Sequence, residues 1–162
     1  MHYYDYYRSP CGRMLLVADD SALTGAYFTR QKYHPRIEEG WVRDARHVLL
    51  CQAKRELAEY FDGTRTRFTV KIAPPGTPFQ RAVWKAITGV AFGKTIPYAE
   101  LARRAGRPGS ARAAGGATGR NPISIIVPCH RIVGSNGALT GYAGGLAKKR
   151  ALLTLEGIGA DQ

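Results

Sequence analysis

The chain has 162 residues, 44% of them hydrophobic, which is typical of one or two globular domains and not of a disordered protein. It has no apolar run of about 18 residues, no signal segment and no CxxC pair, so we expect a reduced, cytoplasmic protein with no membrane partner and no zinc. Residues 79–157 hold 12 Lys/Arg but only 2 Asp/Glu, against 12 and 9 in residues 1–78, which favours a nucleic acid as the partner over a generally basic surface.

The first half of the chain is predicted to be a small α+β domain over residues 1–72. Residues 3–17 form two strands around a Ser-Pro-Cys-Gly turn, and residues 23–28 a third strand. Apolar residues spaced by three and four predict a helix over residues 45–61, with an inward face of Val48, Leu49, Ala53, Leu57, Tyr60 and Phe61. Residues 68–72 alternate as a further strand should.

Residues 73–78, which begin Ala-Pro-Pro-Gly, are predicted to be a linker to a second domain over residues 79–162. Thr77 is positioned as a helix cap, with Pro78 in the first turn and Gln80 three positions after the cap. We expect the helix that follows to bury Phe79, Val83, Trp84 and Ile87.

Two short helices follow, over residues 98–105 and 110–118, with an Arg-Pro-Gly turn between them. Helix, tight turn and helix within about twenty residues is the geometry of a helix-turn-helix, although many short helix pairs simply pack in cores. The second helix consists almost entirely of small residues, so it can approach a duplex closely, and Arg112 is its one long side chain.

The segment 125–131 reads Ile-Ile-Val-Pro-Cys-His-Arg, which predicts a buried strand that delivers Cys129 beside His130. A neighbouring imidazole and nearby cations favour the reactive thiolate, while a small, inert, buried cysteine is the alternative. A glycine-rich loop over residues 134–145 and a helix over residues 146–156 follow. In that helix Lys148, Lys149 and Arg150 share one turn, and Leu152, Leu153 and Leu155 are expected to face inward.

These features together resemble the O6-alkylguanine-DNA alkyltransferases, also called methylated-DNA–protein-cysteine methyltransferases. The resemblance covers nearly all of the second half, in the family's order and spacing. It is carried by residues 79–84 (Phe-Gln-Arg-Ala-Val-Trp), Tyr98 with Leu101-Ala102, Ala111-Arg112-Ala113, Asn121-Pro122, residues 125–131, Gly141-Tyr142 and residues 153–157. In the first half, residues 9–12 and 60–63 look like the family's more variable N-terminal domain.

The resemblance implies an α+β fold: a small RNase H-like N-terminal domain of sheet plus helix, then a mostly helical C-terminal domain with a helix-turn-helix. It implies that Cys129 accepts the alkyl group, that His130 draws the thiol proton through a bridging water, and that Glu156 orients the histidine. Asn121 would hold the turn around the cysteine. Tyr98 would donate a proton to the guanine oxygen as it leaves.

The resemblance also implies a flipped base, because a thiol held inside the protein cannot reach a base inside a duplex. Arg112 would fill the hole in the stack while its helix lies in the minor groove. The DNA contacts would come from Tyr98, Ala99, Arg107, Ala111, Arg112, Ala113, Gly115 and Ser135. The guanine pocket would be lined by Ile132, Tyr142, Ala143 and Gly144, with the carbonyls of Cys129 and Ile132 reading the exocyclic amine.

The activity implied is stoichiometric repair, in which O6-alkylguanine or O4-alkylthymine in double-stranded DNA gives up its alkyl group and the protein is consumed. No cofactor or metal is expected, because the damaged base is itself the alkyl donor. We expect a monomer associated with the nucleoid, with cooperative binding to DNA left open. Two other functions are weighed: a lesion-sensing protein without transfer chemistry, which Cys129 argues against, and a cysteine hydrolase, for which no oxyanion-hole motif is evident.

Overall fold

A computed structural model describes residues 1–159 and divides the chain into a unit of Met1–Pro75 and a second unit beginning at Gly76. The predicted linker, residues 73–78, contains this division, the cap residue Thr77 and the first residue of the next helix. The α+β class predicted from the sequence is confirmed, with a small N-terminal sheet and five helices among the described residues.

The first unit is built on an antiparallel hairpin of β1 (Tyr3–Ser9) and β2 (Gly12–Ala18), extended by β3 (Leu23–Phe28). These three strands are as predicted, because the Ser-Pro-Cys-Gly turn and the β-branched and aromatic runs act locally. A fourth strand, β4 (Val42–Arg43), was not predicted; it pairs in parallel with β1 and completes the order β3-β2-β1-β4. A two-residue strand carries too little periodicity to be recognised.

Helix α1 (Val48–Phe61) starts three residues later than predicted, where the His47 ring accepts a hydrogen bond from the Leu49 amide. Its inward face is also shifted from the prediction. Val48 is 75% exposed, and the buried positions are Leu50, Ala53, Glu56, Leu57 and Tyr60.

The strand predicted over residues 68–72 is wrong; only an isolated bridge joins Ile72 to Leu23. The reason is the buried carboxylate of Glu56, which accepts hydrogen bonds from the amides of Thr69 (2.8 Å) and Val70 (3.2 Å) and from the Thr69 hydroxyl (2.7 Å). Amide donors used in this way cannot pair with a neighbouring strand.

The second unit begins with α2 (Pro78–Thr88), whose capping box is the one predicted. The Thr77 hydroxyl accepts from the Gln80 amide, and the Gln80 side chain accepts from the Thr77 amide. Val83, Trp84 and Ile87 are buried, whereas Phe79 is only half-buried. The indole of Trp84 donates to the carbonyl of Ala117 at 2.8 Å and so joins α2 to the small-residue helix.

Helices α3 (Tyr98–Arg104) and α4 (Ala111–Gly119) pack against each other and against α2. Both lie within a residue of their predicted bounds, because Gly106 and Gly109, with φ near +87°, end one helix and turn the chain into the next. The inward positions of α4 are Ala114, Ala117 and Thr118. The use of this helix pair as a DNA-binding helix-turn-helix stays a prediction.

The strand predicted to deliver Cys129 is wrong. Residues 121–133 are all buried, but Ile125 has φ +71° and the chain reverses there before a 3₁₀ turn over Cys129–Arg131. Only then comes β6 (Ile132–Val133), which pairs in parallel with β5 (Ile96–Pro97). A β-branched residue in the left-handed region costs about 1–3 kcal/mol, so the surrounding contacts must impose this conformation.

The last helix, α5 (Leu146–Leu155), differs from the prediction in what it buries. Lys149 is completely buried together with Leu152 and Leu153, while Leu155 is 37% exposed. The inward positions are therefore 149, 152, 153 and, just past the helix, 156, which is the i, i+3, i+4, i+7 spacing of one helix face.

Candidate active site

Cys129 and Asn121 are joined directly. The Asn121 amide nitrogen lies 3.2 Å from Cys129 Sγ and 2.9 Å from the carbonyl of Val127, to which it donates. Its side-chain oxygen accepts from the Ile123 amide at 2.9 Å. The buried Asn121 side chain therefore hydrogen-bonds backbone groups of this turn, as a neighbouring strand would, and it also hydrogen-bonds the Cys129 sulfur.

The Cys129 thiol is buried. Burial raises its pKa above the ordinary value, and this outweighs effects that lower it, among them the hydrogen bond from Asn121 and the charge of Lys149. That the neighbouring imidazole and nearby cations favour the thiolate stays a prediction, and burial acts against it. A buried neutral thiol becomes a nucleophile only when a base removes its proton.

His130 and Glu156, both fully buried, form the second pair of the site. His130 Nε2 lies 2.6 Å from Glu156 Oε2. Burial lowers the pKa of His130 below the ordinary 6.5, against the opposing effect of the carboxylate, so the ring is neutral at neutral pH. A neutral ring that donates its Nε2 proton to Glu156 keeps its lone pair at Nδ1, and Nδ1 has no hydrogen-bond partner within residues 1–159.

Arg131 completes this cluster and was missed from the sequence. Its guanidinium donates to both oxygens of Glu156, at 2.8 and 3.1 Å, and to the carbonyl of Val90 at 2.7 Å. The Gly93 amide donates to the same carboxylate at 3.1 Å. The available signal was a lone arginine inside an otherwise apolar run, because such a side chain is rarely buried without a carboxylate partner.

Tyr98 is the first residue of α3 and is half-buried. Its hydroxyl accepts a hydrogen bond from the Thr140 hydroxyl at 3.2 Å. Burial raises the pKa of Tyr98 above its ordinary value of 10.0, the hydrogen bond from Thr140 acts in the opposite direction, and the charge of Cys129 raises it further. Gly115 of α4 lies over the same ring, where an added Cβ would come within 3.6 Å of it.

Lys149 is a second residue of the site that the sequence analysis missed. Its ammonium group donates to the carbonyls of Ile132 (2.6 Å) and Thr140 (3.0 Å). Burial lowers its pKa to about 8, although the charge of Cys129 acts in the opposite direction. The helical spacing from Lys149 through Leu152 and Leu153 to Glu156 was the signal that could have found it.

The residues predicted to contact DNA are all exposed or half-buried. Arg112 is exposed on α4 and makes no hydrogen bond or ion pair within residues 1–159. Arg107 is also exposed, but its guanidinium lies 4.5 Å from the centre of the Phe79 ring. The other exposed members of the set are Ala99, Ala113 and Ser135, and the half-buried ones are Tyr98, Ala111 and Gly115.

The predicted pocket residues fall into two groups. Ile132 is buried, and its carbonyl already accepts one hydrogen bond, from Lys149. The Cys129 carbonyl accepts from the Ile132 amide, so one lone pair of each carbonyl is already in use. Tyr142, Ala143 and Gly144 are half-buried in the loop before α5.

Two kinds of site are absent from residues 1–159. No group of three or more His, Cys, Asp or Glu side chains is arranged to hold a metal ion. None of the described helices has the length and apolarity that a membrane crossing requires.

Family models match both units of the chain. Residues 2–74 match the ribonuclease-like domain of 6-O-methylguanine DNA methyltransferase, and residues 78–158 match the DNA-binding domain of the same family. The chain belongs to the 6-O-methylguanine DNA methyltransferase family. The family that the sequence resembles is thereby confirmed.

Curated members of this family match over nearly their whole length. The methylated-DNA–protein-cysteine methyltransferase of Methanosarcina acetivorans is 44% identical over 155 residues, covering 96% of this chain and 98% of the relative. That of Haemophilus influenzae is 41% identical over 157 residues, covering 96% and 87%. The crystal structure of Mycobacterium tuberculosis OGT in complex with DNA superposes with a TM-score of 0.88 at 43% identity, covering 95% of this chain and 92% of that one.

Proposed function

We propose that this family member repairs DNA by moving the alkyl group of O6-alkylguanine onto Cys129. The observation that carries the proposal is the buried His130–Glu156 pair next to a buried thiol held by Asn121. The curated relatives are named for this type of transfer, and a relative of known structure is bound to DNA, which supports duplex DNA as the partner.

In the proposed reaction His130 acts as the base. Its free Nδ1 takes the thiol proton through a bridging water, because residues adjacent in the chain rarely hydrogen-bond to each other directly. Glu156 stabilises the imidazolium that forms, and Arg131 holds that carboxylate in place. The sulfur then attacks the alkyl carbon, and Tyr98 protonates the departing guanine.

The lesion reaches the sulfur only after its nucleotide is rotated out of the duplex. We assign Arg112 to the vacated position in the stack, since its side chain is exposed and uncommitted. Phosphate contacts along the basic second unit would supply most of the affinity, so binding is expected to weaken steeply with salt.

The thioether formed has no easy leaving group, so each protein molecule acts once. We place this reaction in the cytoplasm. O4-alkylthymine presents the same oxygen-bound alkyl group and is the second substrate that we propose. No step of this reaction calls for a cofactor.

The test is incubation with duplex DNA carrying O6-methylguanine, followed by intact-mass measurement. We expect one methyl group on the wild-type protein, none on Cys129→Ser, and none with unmodified DNA. Product should stop at one equivalent per protein. An O4-methylthymine duplex tests the second substrate in the same way.

Two outcomes would contradict the proposal. Tight binding to the lesion without any mass change would indicate a sensor of damage. Repeated turnover of an ester or peptide that depends on Cys129 would indicate a hydrolase.

A further inference from the structure

The hydroxyl oxygens of Thr140 and Tyr98 lie 3.2 Å apart, so the Thr140 hydroxyl can donate to the phenol oxygen. A phenol oxygen that accepts a hydrogen bond still carries its own proton, which stays available for another acceptor. The same donor remains in place if the phenol loses that proton, and hydrogen bonds to charged oxygens are about twice as strong as those to neutral ones.

Two contacts fix the position of Thr140. Its backbone carbonyl accepts from the buried Lys149 ammonium at 3.0 Å. Its methyl group lies against Gly134, where an added Cβ would come within 3.4 Å of Thr140 Cγ2. With the carbonyl and the methyl both fixed, the hydroxyl is left facing Tyr98.

We propose that Thr140 is a positioning residue for proton transfer from Tyr98 to the departing guanine, with Lys149 holding the Thr140 backbone. This inference rests on the function proposed above. It adds a role for two residues outside the cysteine–histidine–glutamate chain.

The proposed step exchanges one bond for another and conserves protons. The bond between Cys129 Sγ and the alkyl carbon forms as the bond between that carbon and guanine O6 breaks. The thiol proton passes to His130, and the Tyr98 proton passes to the guanine, which leaves a phenolate that accepts from Thr140. A proton then returns from the imidazolium to the phenolate through solvent, so that a thiol and an alkylguanine become a thioether and guanine.

The test is the single-turnover rate of methyl transfer from O6-methylguanine duplex DNA in three threonine variants. We expect Thr140→Val to be slower by about tenfold, because it keeps the shape but loses the donor. Thr140→Ser keeps the donor and should stay within about threefold of wild type. Thr88→Val, which removes an exposed hydroxyl at the end of α2, is the matched control and should not change the rate.

A double-mutant comparison separates this role from simple loop packing. Tyr98→Phe has no phenol oxygen to accept a hydrogen bond from Thr140. Adding Thr140→Val to this variant should therefore slow the reaction no further. Equal losses in the two backgrounds would overturn the inference, as would a Thr140→Ser variant as slow as Thr140→Val. A wild-type rate in Thr140→Val would overturn it too.

Lys149→Met tests the support for the threonine. It should slow the reaction and reduce the further effect of Thr140→Val; an unchanged rate would remove Lys149 from the arrangement. Failure of the wild-type protein to transfer any methyl group is a different result, and it would reject the proposed function itself.

Discussion

His130 Nε2 and Glu156 Oε2 lie 2.6 Å apart with no solvent exposure on either side chain. The carboxylate is shared with Arg131, which compensates its charge from the other side. Because both oxygens are engaged, the carboxylate cannot rotate freely, and the tautomer of the imidazole is set by it. In the proposed reaction the base is therefore oriented before DNA binds.

Replacing Glu156 with Gln should affect both stability and rate. It leaves the buried guanidinium of Arg131 without a countercharge, which costs about 3–5 kcal/mol of unfolding free energy. It also lets the imidazole adopt the wrong tautomer, so transfer should slow by about a hundredfold or more. Denaturant unfolding and single-turnover kinetics measure the two effects. Glu100→Gln, which removes a half-buried carboxylate paired with Arg103 and Arg104, is the control, and an equal loss of stability in both variants would contradict the prediction.

Stability should fall on acidification because of His130. Its pKa is lowered in the folded protein, so below the ordinary 6.5 the unfolded chain takes up a proton that the native ring refuses. The stabilisation is complete above that value and is lost as the pH drops through it towards the folded pKa. Comparing unfolding free energies of the wild type and His130→Gln at about pH 7.5 and about pH 5.5 should show the difference shrinking. A difference that grows at the lower pH would reverse the assigned sign.

Asn121→Ala should destabilise the turn that carries the nucleophile. It leaves the buried Ile123 amide without its acceptor and removes one of two donors to the Val127 carbonyl, which keeps the Cys129 amide at 2.8 Å. The expected cost is about 1–3 kcal/mol. Asn136→Ala is the comparison, since Asn136 is exposed and its side-chain oxygen accepts one local bond. Thermal or chemical unfolding distinguishes the two, and similar losses would mean that Asn121 does not organise the turn.

Arg112→Ala should slow repair of duplex DNA much more than reaction with free O6-benzylguanine, provided that the pocket accepts the benzyl group. The free base needs no flipping, so it does not need a residue in the stack. Arg112→Lys keeps the charge and separates phosphate attraction from filling of the stack. Matching losses on both substrates would remove the proposed role of the arginine.

The sequence predicted the elements whose signals are local. The Thr77–Gln80 capping box and the glycines after α3 and its turn act within a few residues, and the helices beside them were placed correctly. Residues 68–72 show where this fails. Their alternation is typical of a strand, but the amides of Thr69 and Val70 donate to the Glu56 carboxylate instead. Glu56 lies on α1, and no pattern within residues 68–72 indicates that partner.

The site was predicted only in part, because some of its residues depend on contacts with distant parts of the chain. Cys129 and His130 were found because the motif around them is short and specific. The left-handed Ile125, by contrast, depends on Asn121 and on burial from several sides, so an apolar run was taken for a strand. Lys149 was grouped with Lys148 and Arg150 on one turn and was not included among the inward residues, although its spacing to Glu156 indicates an inward position.

The carboxylate that aligns the imidazole is 26 positions later in the chain than the imidazole itself. During translation the imidazole is therefore made well before the carboxylate that aligns it. In the proposed reaction the aligned base is complete only when α5 has been synthesised and docked. Fragments that stop within the glycine-rich loop should be inert towards alkylating damage.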